Sequence, residues 1–161
     1  MCTYDRREEF SALAKKNAEK WGVAHRIEFN VRSLDDGFKE RNANAVFLDV
    51  PTPWEYIDKA YEALAPGNHL GILVPTTNQV SDTIVRLNEF GFADIQVVEL
   101  MLRYYKTEPN RIRPEDVMIG HTGYLIFAVK TLPLREEVTA GTENDEAEAD
   151  PEAEGTEEDQ K

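Results

Sequence analysis

Chemistry in this chain concentrates on the hexapeptide Asp49-Val50-Pro51-Thr52-Pro53-Trp54. Two prolines stiffen a loop that presents a carboxylate, backbone carbonyls and a large aromatic at one point. Such a loop suits a planar base: the aromatic face stacks, while carboxylate and carbonyl read an exocyclic amine and a ring nitrogen. The same residues also read as a strand-to-helix turn, with Pro53 in the first helical turn and Trp54 as a core anchor. A second group joins Arg103, Lys106, Arg111 and Arg113 to Tyr104 and Tyr105, side chains suited to phosphates and stacked bases. The alternative there is a solvated basic loop with its tyrosines turned inward. His25 and His69 have no Cys or carboxylate at metal-ligand spacing, so no metal site is expected. His121 reads as a structural hydrogen-bonding residue and Cys2 as inert.

These residues need a scaffold, and the apolar periodicity supplies one. Met1 to Tyr4 has strand-like chemistry. Asp5 stands where it can cap a helix over about residues 6 to 21, with Glu8 answering it and Phe10, Leu13, Ala14, Ala18 and Trp21 turned inward. Strands are expected at Ile27 to Val31 and at Ala45 to Val50, the latter buried on both faces. A second helix on Trp54, Ile57, Tyr61 and Leu64 closes at Pro66-Gly67, and His69 to Val74 forms the next strand up to Pro75. Asn78 opens a third helix carrying Val80, Ile84, Leu87 and Phe90, with Gly91 after its end. Ile95 to Leu102 and Tyr124 to Val129 follow with no helix between them. This alternation predicts a mostly parallel α/β sheet, covered on both faces, with an antiparallel edge.

In such sheets ligands sit at the carboxyl ends of the strands. There the chain delivers Asp5, then Arg32 to Gly37, then Asp49 to Trp54, then Pro75 to Asn78. A carboxylate just after a strand of a nucleotide-binding sheet commonly accepts ribose hydroxyls, a role that Asp5 can combine with capping its helix.

The chain has 161 residues and a formal charge of −13, very unevenly spread. Residues 136–161 contain twelve acidic residues, one basic and no aromatic, whereas residues 1–135 hold nineteen acidic and seventeen basic, net −2. We expect one domain over 1–135 and an acidic disordered tail over 136–161, which solubilises, mimics nucleic acid or binds a partner. No apolar run approaches the roughly 20 residues of a membrane-spanning helix. The N-terminus lacks the apolar stretch of a signal peptide, and the lone Cys2 has no partner for an internal disulfide. A cytoplasmic location is expected.

Taken with Arg103-Tyr104-Tyr105, Arg113-Pro114 and Gly120-His121-Thr122-Gly123-Tyr124-Leu125, the hexapeptide resembles the tRNA adenine-N1 methyltransferase family, of the catalytic type that modifies adenine-58 in the T loop. The likeness runs from about Thr3 to Lys130. It implies a class I S-adenosylmethionine-dependent methyltransferase (Rossmann-like) fold, S-adenosyl-L-methionine as cofactor, tRNA as substrate and a tetrameric assembly. By this resemblance Asp5 holds the cofactor ribose, and Asp49 is the catalytic-pocket carboxylate, close to the cofactor. Ser33 stands where the family often places an acidic residue at the cofactor adenine, with Asp35 or Asp36 as substitutes. Pro51, Trp54, Arg103, Tyr104, Tyr105, Arg113, His121 and Thr122 would shape the substrate side.

One departure stands out: no G-x-G occurs in the chain, although the family's Gly-rich cofactor loop follows a strand preceding the one that ends at Asp5. The expectation is therefore the C-terminal portion of a longer methyltransferase, its sheet incomplete at the N-terminus and the neighbours of the absent strand unpaired. A noncatalytic, methyltransferase-like RNA-binding or assembly subunit is the alternative. A nicotinamide-dependent dehydrogenase also uses an acidic residue after its second strand, but it too requires the absent glycines.

Overall fold

A computed structural model describes residues 1–132; the expected acidic tail and its boundary at residue 135 lie outside them. Strand β1 (Cys2–Asp5) leads into helix α1 (Glu8–Lys20) and strand β2 (Glu28–Val31). β1 and β2 pair in parallel, with Asp5 opposite Val31. Strand β3 (Ala43–Leu48), helix α2 (Ile57–Ala63), strand β4 (Leu64–Val74), helix α3 (Thr77–Glu89) and strand β5 (Phe92–Glu99) follow. Two short strands, β6 (Tyr105–Lys106) and β7 (Arg113–Pro114), pair with each other, and β8 (Tyr124–Lys130) ends the described chain.

The main sheet has the order β3-β4-β8-β5. β3 and β4 are parallel, while β8 lies between β4 and β5 and is antiparallel to both. β8 is the antiparallel strand expected where no helix joins the last two long strands, but it lies inside the sheet with β5 at the edge, so the sheet is mixed rather than mostly parallel. β1 and β2 form a separate pair, and among the described residues neither bonds to β3. The expected unpaired neighbours are therefore β1 and β3, which flank a cleft of about 820 Å³.

Side-chain bonds tie the small pair to the rest. Tyr4 packs edge-on against Phe38, its hydroxyl donates to Glu40 (2.5 Å) and it accepts from the Lys39 amide (3.2 Å). The Lys39 ammonium donates to Asn30 on β2 (2.5 Å). The segment entering β3 is thus fastened to both small strands.

The core lies between the main sheet and helices α2 and α3. Leu70, Ile72 and Val74 of β4, Ile126 and Ala128 of β8, Ile57 and Ala60 of α2 and Leu87 of α3 are buried together. Alternate residues point the other way, as the strand pleat dictates. Phe47, Gly71 and Phe127 stand in register across three strands on that second face, where both aromatic rings are exposed. A Cβ on Gly71 would come within 2.8 Å of the Phe47 ring, so glycine is what lets Phe47 lie across the strand.

This geometry corrects several expectations. β3 alternates buried Val46 and Leu48 with exposed Ala45 and Phe47, because only one of its faces carries helices from the described residues. α1 rests on β1 and β2 through Ser11 and Ala18 and leaves Phe10, Leu13 and Trp21 exposed; its N-cap position is Arg7, without a side-chain cap. α2 is preceded by a 3₁₀ turn, Pro53–Tyr56, and stops before Leu64, which already pairs with Ala43. Lys130 donates to the carbonyls of Tyr61 (2.7 Å) and Leu64 (2.8 Å), satisfying acceptors at that helix end. α3 is opened by Thr76 rather than Asn78, in a capping box with Gln79.

Burial decides which side chains carry stability. Ile126→Ala, at a fully buried site between β4 and β5, should cost about 2–5 kcal/mol of unfolding free energy in denaturant titration. Val85→Ala, on the exposed face of α3, should change it by less than about 0.5 kcal/mol.

Candidate functional site

Parallel pairing of β3 and β4 makes both strands end at one edge, with Leu48 opposite Ile72. The chain leaves β3 at Asp49, whose neighbour Leu48 is anchored in the core. Asp49 is exposed, and among the described residues its carboxylate forms no hydrogen bond or ion pair. A cleft of about 490 Å³ opens there, walled by Asp49 to Pro51, by Leu73 to Pro75, by Gln79 and by Thr122.

Three local devices hold this cleft open. The Gln79 amide, fixed by the Thr76 capping box, donates to the Pro51 carbonyl (2.9 Å). One lone pair of the expected base-reading carbonyl is therefore already engaged. Thr52 donates to Glu55 (2.5 Å), bracing the turn in which Pro53 is buried. Gly123 adopts φ +148°, and a Cβ there would meet Leu73 at 3.0 Å and the Val74 carbonyl at 3.4 Å. Glycine at 123 thus permits the close passage that lays Thr122 over the end of β4.

A second set of carboxylates lies at the carboxyl ends of β1 and β2. Asp5 ends β1, and one of its oxygens accepts from the Arg7 amide (2.9 Å) and guanidinium (3.5 Å). Its side chain is one-third exposed, which leaves the other oxygen open to a ligand. Ser33 donates to Asp35 (2.7 Å) and accepts from the Asp35 amide (3.3 Å). It therefore orients Asp35 rather than presenting a free hydroxyl. Tyr56, in the turn after Asp49, also donates to Asp35 (3.1 Å). The hydrogen bonds from Ser33 and Tyr56 hold the Asp35 carboxyl below its ordinary range, while burial and Asp35 push the Tyr56 phenol up. Tyr56 to Asp35 is thus a direct bond from the Asp49 turn to the loop after β2.

The expected substrate-side residues are only partly gathered. Pro51 and Thr122 line the Asp49 cleft. Trp54 is half-buried in its 3₁₀ turn and is not among the lining residues, so the anchor reading describes it better than the stacking one. Arg103, Tyr104, Tyr105 and Arg113 are all exposed on the β6–β7 projection, outside the cleft wall. The tyrosines are not turned inward. Lys106 pairs with Asp116 there, and the Glu115 amide bonds the Tyr104 carbonyl (2.9 Å). His121 bonds the Glu99 carboxylate through Nδ1 (2.5 Å) and the Pro75 carbonyl through Nε2 (2.7 Å). It therefore bonds to the rim of the cleft at Pro75.

Away from the cleft, Cys2, Glu28 and Glu40 bring ligand atoms within 4.8 Å of one another at the opposite ends of β1 and β2 from Asp5. Hydrogen bonding to Glu40 pushes the Cys2 thiol up, which disfavours its thiolate. Sequence reading missed Tyr56, Gln79 and Glu99. Gln79 was accessible through the T-x-x-Q signature at Thr76; Tyr56 and Glu99 carried no local signal, because their partners are 21 and 22 residues away.

The family model described as "tRNA methyltransferase complex GCD14 subunit" matches residues 1–119. A tRNA (adenine(57)-N(1)/adenine(58)-N(1))-methyltransferase of Methanocaldococcus jannaschii, TrmI, is 29% identical over 153 residues, covering 78% of this chain and 54% of that protein. The crystal structure of an S-adenosylmethionine-dependent O-methyltransferase from Thermotoga maritima superposes with a TM-score of 0.81 at 47% identity, covering 84% of this chain and 51% of that one. The tRNA (m1A58) methyltransferase TrmI of Aquifex aeolicus gives 0.76 at 35%, covering 82% and 53%. The chain spans about half the length, or less, of the curated relatives it matches. Its fold is that of the class I methyltransferases, and with nearly three-quarters of its length matched by the family model, the chain belongs to the GCD14 tRNA methyltransferase family.

Proposed function

We propose that this chain forms the cofactor-edge and substrate side of a tRNA adenine-58 N1-methyltransferase that uses S-adenosyl-L-methionine. The observation that carries the reading is the unpaired Asp49 carboxylate at the end of β3, set in a cleft walled by Pro51, Pro75 and Thr122. S-adenosyl-L-methionine would supply an activated methyl group on its sulfonium. Adenine N1 is a lone-pair nucleophile, so the protein's work is alignment and charge stabilisation. Methylation at N1 leaves positive charge on the base, which a carboxylate at Asp49 stabilises.

The residues present suit the nucleoside half of the cofactor. Asp5, with one carboxylate oxygen engaged by Arg7, supports a role in accepting ribose hydroxyls, and the bonds that orient Asp35 from Ser33 and Tyr56 support a role in accepting from an exocyclic amine. For the methionine half the chain has no G-x-G turn.

The β6–β7 projection, with Arg103, Arg113 and exposed Tyr104 and Tyr105, supports tRNA as the polymer engaged. Exposed apolar side chains at Leu100, Met101, Leu102, Val117 and Ile119 support assembly with further copies as a tetramer. A cytoplasmic setting accords with tRNA as substrate; no helix among the described residues is long and apolar enough to cross a membrane. A second reading, a noncatalytic RNA-binding or assembly subunit, draws on the same exposed Arg103, Arg113, Tyr104 and Tyr105 without requiring cofactor chemistry.

The deciding assay is transfer of labelled methyl to unmodified tRNA, with 1-methyladenine located by mass spectrometry. Asp49→Asn should lower kcat by about 100-fold or more with little change in S-adenosylmethionine affinity; normal turnover sinks the assignment. In calorimetric titration with S-adenosylhomocysteine, Asp5→Ala and Asp35→Ala should each weaken binding about tenfold or more, as loss of a charged hydrogen-bond acceptor does. Absence of any binding by the folded chain means a truncated or noncatalytic protein. Each of Arg103→Ala and Arg113→Ala should reduce the slope of log K against log salt for tRNA by about 0.7–0.9; unchanged slopes would remove both residues from the phosphate-binding surface.

A further inference from the structure

His121 has an acceptor at each ring nitrogen, the Glu99 carboxylate at Nδ1 and the Pro75 carbonyl at Nε2. A backbone carbonyl only accepts, so Nε2 carries a proton, and a carboxylate accepting from Nδ1 requires the second. The ring that satisfies both partners is the imidazolium. The ring thus joins three parts of the edge: Pro75 follows β4 beside the Asp49 cleft, Glu99 ends β5, and His121 itself closes the excursion that begins at Leu100. Tyr124, at the start of β8, packs its ring against the imidazole at 4.8 Å.

We propose that His121 is a positioning residue which, as a doubly donating imidazolium, fastens both ends of the segment from Leu100 to Thr122 to the rim of the Asp49 cleft, and so makes presentation of its arginines and tyrosines depend on pH. That segment contains Arg103, Tyr104, Tyr105 and Arg113, and Thr122, next to His121, is itself part of the cleft wall. The tie therefore acts on cleft and projection together. Its use in RNA binding rests on the function proposed above; the tie itself does not.

The groups facing the ring fix the sign. Glu99 on β5 is the charged neighbour; β4 contributes the uncharged Pro75 carbonyl and β8 the Tyr124 ring. Hydrogen bonds to Glu99, then to Pro75, raise the His121 pKa above its ordinary value of 6.5. A raised folded value means that the tie is fully present below pH 6.5 and is lost as pH rises through the elevated folded value.

Nitrogen-15 and proton NMR on this chain tests the tie directly. His121 should titrate above 6.5 with both ring nitrogens protonated at pH 6, Glu99→Gln should lower its midpoint, and the amides of residues 103–113 should shift with the same midpoint. In His121→Asn those amide shifts should become independent of pH. Titration at or below the ordinary value, a midpoint indifferent to Glu99→Gln, or amides that ignore the transition would each overturn the proposal. Fluorescence anisotropy with tRNA then adds its consequence: wild-type affinity should fall about tenfold more than that of His121→Asn across the same transition. If the NMR transition is present and no tRNA binds at any pH, the tie stands and the RNA reading fails. If tRNA binds with an identical pH profile in both proteins, the tie's role in presentation fails and the RNA reading survives.

Discussion

The parallel register of β3 and β4 is the constraint on which the site depends. Two parallel neighbours end at the same edge, so Asp49 and Pro75 emerge side by side although 26 residues separate them in the chain. The register holds because Val46 and Leu48 on β3 and Leu70, Ile72 and Val74 on β4 share one buried face. A slip by one residue would turn each of these side chains to the opposite face and expose the apolar set. It would also carry Asp49 toward the core, where an unpaired carboxylate is costly.

Around that edge, polar bonds link elements that have no apolar reason to meet. Gln79 joins α3 to the Pro51 loop, Tyr56 joins the same loop to Asp35, and His121 joins Pro75 to Glu99. Each lies at or near the surface, where its contribution to global stability is small. Their effect is on placement. They fix where backbone and carboxylates stand relative to the cleft, the quantity that governs alignment of reacting atoms.

The sheet's two faces differ in kind. One is filled by α2 and α3. The other presents Phe47 and Phe127 to solvent, with Phe10, Leu13 and Trp21 exposed on α1. Periodicity along α1 does place those residues on one stripe, but periodicity reports an amphipathic element and not what covers it. For the same reason the apolar run at β3 suggested burial on two faces while the described fold supplies helices to one.

The sequence by itself determined the order of the long strands and the helices, the edge at which Asp5, Asp35 and Asp49 emerge, and the candidacy of the Asp49 loop. Those features follow from local apolar spacing, from proline and glycine punctuation and from the rule that parallel strands end together. Only the tertiary structure decided which side chains meet at that edge. Trp54 became a half-buried turn residue, Ser33 an orienting partner for Asp35, and His121 a bridge between Glu99 and Pro75. Arg103 to Arg113 stood apart on their own projection. Hydrogen bonds between residues more than 20 positions apart leave no mark on local pattern, because they depend on strand order and on close approaches such as that of Gly123 to Leu73.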